Sequence, residues 1–449
     1  MSVAFDASDQ ALADGWNWAL AQATEYVRTG DPVGDWFEAA LPGRNAFCMR
    51  DTAHQTAGAQ VLGLRGAVKN MLYRFAENIA ASRDWCSYWE ITGDNLPAPV
   101  DYTNDQDFWY NLPANFDILD CCWRQYQWTG DADYVSDPVF LNFYERTVND
   151  YVQHWDTDGD GILEQLPQYG RRGIASYEET IRDLRVGGDL IAAQIAGYQA
   201  YANIQRVKNN QSAADEFMQK AAALRAIYHD RWWNARQETF YSVQRQNKQF
   251  SDQINPNVNN VALYFGAVSE LDRVQSVIDG LVKAFPRTNV EAQSYYPEVL
   301  YRYGRTQDAE AMLRVLIDPK LPRREYPEVS YAVLGTIVTS MMGISGDAQQ
   351  RKVTTLARLT GDTQTVSVTG LSILANQITV AHSGSSASEF VNEQGEPLVW
   401  EARFSGASDH LIVDGVAQPA AQGIGQSGQP ESWVTIPTAS GERHSVCLP

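Results

Sequence analysis

Apolar residues recur at three- and four-residue intervals from residue 8 to about residue 345, the signature of helices with one buried face. The first such run, DQALADGWNWALAQATEYVRTG, opens on a Ser or Asp cap and closes at Gly30. TAHQTAGAQVLGLRGAVKNMLYRFAENIAA reads as a helical pair, and LPANFDILDCCWRQYQWTGDADYV as a helix ending in a Thr-Gly-Asp turn. Further helices follow in PVFLNFYERTVNDYVQHW, DLIAAQIAGYQAYANIQRVKNN, SAADEFMQKAAALRAIYHDRWW, PNVNNVALYFGAV, ELDRVQSVIDGLVKAF, SYYPEVLYRYGRTQDAEAMLRVLID and SYAVLGTIVTSMMGI. That makes roughly ten to twelve helices, joined alternately by short turns and longer loops, which fits a closed ring of helical hairpins. Near Ser345 and Gly346 the pattern switches. TQTVSVTGLSILANQITVAHSGSSASEF and the residues after it alternate apolar and polar positions between Gly, Ser and Asn turns, which predicts a small antiparallel β-sandwich. The expected organisation is a helical toroid over residues 1–345 and a β-sandwich over residues 346–449.

Composition narrows the partners. With 35 Lys and Arg against 55 Asp and Glu the formal charge is −20, which repels phosphate backbones and argues against nucleic acid. No apolar run reaches the ~20 residues that span a bilayer, so no membrane partner is expected. The chain carries 13 Trp and 22 Tyr, residues that pack cores and also stack on sugar rings. Cys48, Cys86, Cys121, Cys122 and Cys447 show no metal-ligand spacing and read as buried thiols. MSVAFDASDQALADGW lacks the pattern of a secretory leader, and the cytoplasm is the favoured location. Oligomeric state is open.

Acids at helix–loop junctions are the candidate chemistry. FCMRDTAHQ offers Arg50, Asp51 and His54; WCSYWEITGD sets Glu90 beside Trp89; DYTNDQDFWYNLPANFD mixes Asp107 with Trp109. Each also reads as a helix cap or a paired core residue. In WDTDGDGILEQ, Asp156, Asp158 and Asp160 match the start of a calcium loop. Pro167 stands where the bidentate Glu belongs, leaving Glu164 as a substitute, so a structural calcium is a secondary expectation and no other cofactor is expected.

YGRRGIASYEETIRDLRVGGDL places Glu178 and Glu179 after a long loop, with a polar helix-forming stretch next and a small-residue helix from about Gly188. Ser176 and Glu179 fit a capping box, which explains Glu179 and leaves Glu178 as the candidate proton donor. Glycoside hydrolysis needs a second carboxyl. RREYPEVSYAVLG supplies Glu325 and Glu328 in a loop before a late helix, whereas Glu298 in YYPEVLYRYG reads as helix-opening chemistry.

Together these motifs resemble the six-hairpin (α/α)6-barrel glycosidases. Arg50–Asp51 is similar to the Arg-Asp element of glucoamylases and glycogen-debranching enzymes, which implies that it holds the terminal sugar. SYEE resembles the Trp-Glu-Glu of glucoamylases and the Thr-Tyr-Asp of bile-acid-type β-glucosidases, which implies that Glu178 is the proton donor. The last helices and the β-domain resemble α-L-rhamnosidases, whose catalytic base lies in the loop carrying Glu325 and Glu328. Their acid lies in a Cys-Pro-x-Arg-Glu motif that CMRD matches in part, so Asp51 is a rival donor, with Glu90 another. The large N-terminal β-domain common in these families is either missing or trimmed from this sequence.

The resemblance implies an exo-acting, inverting glycoside hydrolase that takes an oligosaccharide or glycoside. Glu178 would be the acid and Glu328 the base. Arg50, Asp51, Trp89, Glu90, Asp107, Trp109 and Glu325 would line the substrate. Three other readings share the toroid. A polysaccharide lyase would use Tyr169, Tyr177, Arg171 and Arg172. A sugar epimerase would draw on His54, His154 and His229. The third is a glycan-binding protein without catalysis.

Overall fold

A computed structural model describes residues 3–449. Among these residues, twelve long helices alternate between an outer and an inner layer. The outer ones are α1 (Gln10–Glu25), α3 (Arg65–Glu77), α5, α7 (Gln211–Arg231), α9 (Leu271–Ala284) and α11 (Thr306–Ile317). Helix α5 runs Pro138–Arg146, through a π-helical turn at Thr147–Tyr151, into Val152–Trp155. The inner ones are α2 (Met49–Val61), α4 (Ala114–Thr129), α6 (Gly188–Val207), α8 (Pro256–Tyr264), α10 (Val290–Arg302) and α12. Helix α12 spans Pro327–Gly335 and continues in a π-helical turn at Thr336–Met341. The inner helices touch in the order α2, α4, α6, α8, α10, α12 and back to α2, so the ring closes. This is an (α/α)6 toroid.

Layer follows from side-chain pattern. Outer α9 buries Val274, Val277, Ile278 and Leu281, one stripe at helical spacing, and leaves its other face to water. Inner α6 is buried on nearly all sides, and its Ala and Gly residues let neighbouring helices approach. The closest approach is at Gly58 of α2, where an added Cβ would lie 2.2 Å from the Tyr331 carbonyl oxygen of α12. Asp9 caps α1 by accepting from the Ala11 and Leu12 amides, and Gly130 closes α4 at φ 70°.

The C-terminal part is a two-sheet sandwich of seven and five strands. It departs from the sequence expectation in two ways. Lys352–Leu356 pairs parallel with Leu398–Ser405 inside an otherwise antiparallel sheet. The first strand, Ala4–Ala7, pairs with Thr365–Ile373, so the chain's opening residues complete a C-terminal sheet. Barrel and sandwich are joined by hydrogen bonds from Trp128 Nε1 to the Ser372 carbonyl (3.0 Å) and from the Leu374 amide to the Trp128 carbonyl (2.8 Å).

Two local expectations change. Residues 176–183 form an irregular turn, so Ser176 and Glu179 do not make a capping box. The Ser176 hydroxyl instead donates to Asp189 (2.9 Å), and that carboxylate also takes the Tyr177 amide (2.7 Å), which ties the loop to the start of α6. Pro297 and Glu298 lie inside α10, which begins seven residues earlier at Val290.

Candidate active site

The N-termini of the inner helices point to one end of the barrel, and a cavity of about 190 Å³ opens there. Its lining includes Arg50 from α2, Asn257 and Asn260 from α8, Glu291 and Tyr295 from α10, and Glu328 from α12. The loop before α6 adds Tyr177, Glu178 and Glu179. Glu178 and Glu328 are 150 residues apart in sequence and share this cavity. Glu178 reaches it from the loop before α6, with its carboxylate held at the start of α8, and Glu328 reaches it from the first turn of α12.

Their surroundings differ. Glu178 is half-buried and accepts from Asn255 Nδ2 (3.0 Å) and Asn257 Nδ2 (2.9 Å), one on each oxygen. Both amides are oriented from behind. The Asn255 Oδ1 caps α8 by accepting the Asn257 amide (2.9 Å), and the Asn257 Oδ1 accepts from the Tyr296 hydroxyl (3.3 Å). Each Asn therefore presents only N–H to Glu178, an environment matched to an ionised carboxylate, which can only accept.

Glu328 is fully buried in the first turn of α12. Burial pushes its pKa up to about 7, against the pull of the Arg50 guanidinium. Asp51, also buried, lies within hydrogen-bonding reach, and burial together with the Glu328 charge raises it to about 7 as well. The two form a carboxyl pair suited to sharing a proton. Arg50 donates to Asp51 (3.2 Å) and reaches Glu291 at 3.8 Å. His54 Nδ1 lies 3.4 Å from Glu328 Oε1, and its ring stacks on Tyr295 with centroids 3.5 Å apart. Burial holds His54 down to about 4, so near neutrality this is a contact with a neutral imidazole. The Tyr295 hydroxyl is 3.5 Å from the same Glu328 oxygen. Glu328 Oε2 and Asn260 Oδ1 are buried in the cavity wall without a hydrogen-bond partner among the described residues.

The structure does not bring the other expected substrate contacts to this cavity. Trp89 sits one ring behind Tyr177, with centroids 6.4 Å apart. Glu90 is buried against Arg44 (2.6 Å) and beside Asp101, and burial with the Asp101 hydrogen bond lifts it to about 8. Asp107 is exposed and bound to Arg171 (2.7 Å), and Trp109 Nε1 donates to Asn111 (3.1 Å). Glu325 is exposed, and its backbone carbonyl accepts from the Tyr26 hydroxyl. Asp51 stands behind Glu328 rather than in the lining. Glu90 and Asp107 are each held by an arginine, and the Glu325 carboxylate faces solvent. Asn255, Asn257, Asn260, Glu291 and Tyr295 were missed. The Asn-rich PNVNNVAL was a visible signal for Asn257 and Asn260.

Residues invoked for the alternative chemistries are dispersed. Arg171 is held by Asp107 and Arg172 by Asp84 (2.8 Å), while the Tyr177 hydroxyl donates to Asp117 (2.8 Å). His154 lies against Asp84 and His229 against Glu270, each away from His54. Asp156, Asp158, Asp160 and Glu164 do converge, with one oxygen of each within 4.8 Å of the others, as a metal site requires. Arg185 already binds Asp158 (2.9 Å) and Glu164 (2.5 Å), and Lys248 binds Asp158 (2.6 Å). Asp156 is occupied by the amides of Gly159, Asp160 and Gly161. The four carboxylates could hold a divalent ion, which would compete with Arg185 and Lys248 for Asp158 and Glu164. No described helix is long and apolar enough to cross a membrane.

No protein-family model matches the sequence, and no curated protein matches it. Solved structures share the fold. A GH78 family rhamnosidase of Bacillus sp. GL1 aligns at a TM-score of 0.61 and 13% identity, over 87% of this chain and 40% of its own. The α-L-rhamnosidase of Dictyoglumus thermophilum gives 0.62 at 11% identity, over 100% of this chain and 50% of its own. That of Streptomyces avermitilis, solved with L-rhamnose, gives 0.59 at 10%, over 100% of this chain and 42% of its own. The chain thus has the (α/α)6-plus-sandwich architecture of these enzymes and spans half or less of their length.

Proposed function

We propose that the protein is an exo-acting, inverting glycoside hydrolase that uses Glu328 as general acid and Glu178 as general base, the reverse of the roles the sequence suggested. One observation carries this reading: two carboxyls share a cavity in opposite environments, one buried with its pKa raised beside a second acid, the other ringed by amide donors. Glu328, raised to about 7, keeps a substantial protonated fraction near neutrality and gives that proton to the glycosidic oxygen as the bond to the anomeric carbon breaks. Asp51 keeps that proton within reach, and Arg50 balances the charge that remains. Glu178 takes a proton from the water that attacks the anomeric carbon from the far side of the ring. Inversion needs roughly 6.5–9.5 Å between the two carboxyls, room for the attacking water.

The cavity, at about 190 Å³, is smaller than the roughly 300–1,000 Å³ that holds a drug-sized ligand, which supports recognition of one terminal ring. The rhamnosidases of the same fold make a terminal L-rhamnosyl group the first substrate to try.

The test is turnover of a rhamnosyl disaccharide and of a nitrophenyl rhamnoside by wild type, E328Q and E178Q, followed by proton NMR. E328Q is expected to lose the disaccharide and to keep much of the nitrophenyl substrate, whose leaving group needs little protonation. E178Q is expected to lose both, and the first-formed product should be the inverted anomer. The opposite pattern would return the acid role to Glu178. An unsaturated product would make the protein a lyase, and absence of turnover across a wider glycoside panel would remove the hydrolase reading.

A further inference from the structure

A second cavity, about 330 Å³, lies at the other end of the barrel, where the C-termini of the inner helices meet the sandwich. It has no part in the proposed hydrolysis. Arg124 from α4, Arg302 from α10 and Arg358 from the sandwich all line it, with Glu298 the only carboxylate in its wall. Gln60 and Gln127 add amide groups.

The three guanidiniums are unequally satisfied. Arg302 is paired with Glu298 (2.7 Å) and also donates to the Tyr264 carbonyl at the end of α8. Arg124 is paired through Nε with Asp120 (2.8 Å), and its buried Nη2 faces Asp117 Oδ1 at 3.9 Å. Arg358 donates to the Ser340 carbonyl (2.8 Å) and is paired with no carboxylate among the described residues. Burial pulls the Arg358 pKa below its ordinary value, against the attraction of the Glu431 carboxylate and with Arg302 adding repulsion. A half-buried cation facing another cation is costly unless an anion completes it.

We infer that this barrel–sandwich cavity is a binding site for a small phosphate-type oxyanion, free or carried on a sugar, held between the Arg358 and Arg124 guanidiniums that line it. Guanidinium forks match such oxygens in pairs. The volume admits a phosphorylated monosaccharide as readily as inorganic phosphate. A purely structural alternative exists, in which Arg302 and Arg358 only close helix-end carbonyls.

The experiment separates the two. The full chain is titrated with inorganic phosphate and, separately, glucose 6-phosphate, at constant ionic strength kept with sodium chloride, and melting temperature and binding heat are read. The expected result is a saturable rise of about 2 °C or more with at least one probe. R358Q should weaken that binding by roughly tenfold to a hundredfold. In phosphate-free buffer R358Q loses the bond to the Ser340 carbonyl and also a partly buried cation, so its melting temperature there is the baseline from which its phosphate response is read. Response to glucose 6-phosphate alone would assign the site to a sugar phosphate, and response to both would assign it to the phosphate group itself. Two results overturn the inference: no saturable response to either probe, or an equal response in wild type and R358Q. Should R358Q fold poorly, R124Q, which leaves the Ser340 contact intact, serves as the second variant.

Discussion

Replacing Glu328 with Gln removes a buried acid and leaves its shape nearly unchanged. The folded carboxyl has its pKa raised from 4.5 to about 7, so it binds its proton more tightly than the unfolded chain does. Such a group favours folding below pH 4.5, and its contribution is lost as pH rises through 7. At 1.36 kcal/mol per unit, ionisation costs the fold about 1 kcal/mol at pH 5 and about 3 kcal/mol at pH 8. Glutamine cannot ionise, its carbonyl still accepts from Tyr295, and its amide can donate to Asp51. E328Q is therefore expected to match or exceed wild-type stability at pH 5 and to exceed it by about 3 kcal/mol at pH 8. Asp51, raised partly by the Glu328 charge, moves in the same direction. The assay is urea unfolding by tryptophan fluorescence from pH 5 to pH 8, with disaccharide turnover measured on the same samples. Stability should rise while kcat falls by about 10²–10⁴-fold. Parallel stability profiles for wild type and variant, or a less stable E328Q at pH 8, would refute the argument that Glu328 is a buried acid held protonated by the fold.

Other changes test neighbouring parts of the structure. Asn255→Ala removes both a donor to Glu178 and the cap of α8, so it should cost about 0.5–2 kcal/mol in urea and reduce kcat in the same variant. Tyr177→Phe leaves the buried Asp117 without its 2.8 Å donor and should destabilise by about 1–3 kcal/mol, more strongly at high pH, because burial already raises Asp117 to about 7. Gly58→Ala pushes α2 away from α12 and should cost about 1–3 kcal/mol or more, read as a lowered urea midpoint. Calcium at millimolar concentration should leave the melting temperature of wild type within about 1 °C, because it must compete with Arg185 and Lys248 for the acidic cluster.

Much of the architecture was legible because helices and strands are written in local periodicity. The α9 stripe of Val274, Val277, Ile278 and Leu281 declares an outer helix, and the Ala- and Gly-rich α6 declares a helix packed on all sides. The switch to alternation near Ser345 marks where the sandwich strands begin. Periodicity says nothing about partners far away in sequence. It could not show that Ala4–Ala7 would complete a sheet near the C-terminus, or that α12 would close on α2.

The same divide runs through the site. The sequence singled out Glu178, Glu328 and Arg50, because acids and cations at loop–helix junctions stand out, and the fold brings all three to one cavity. It also offered Glu90, Asp107 and Glu325, which were indistinguishable by composition. What separated them was the identity of each acid's neighbour: Arg44 for Glu90, Arg171 for Asp107, open solvent for Glu325. The assignment of roles was likewise tertiary. Whether a carboxyl keeps or loses its proton depends on burial and on donors contributed by other helices, here Asn255 and Asn257 for Glu178 and the pocket of Asp51, His54 and Tyr295 for Glu328. Residue type and spacing fix which groups can do chemistry, whereas desolvation and charge–charge distance, which decide what each group does, exist only once the ring has closed.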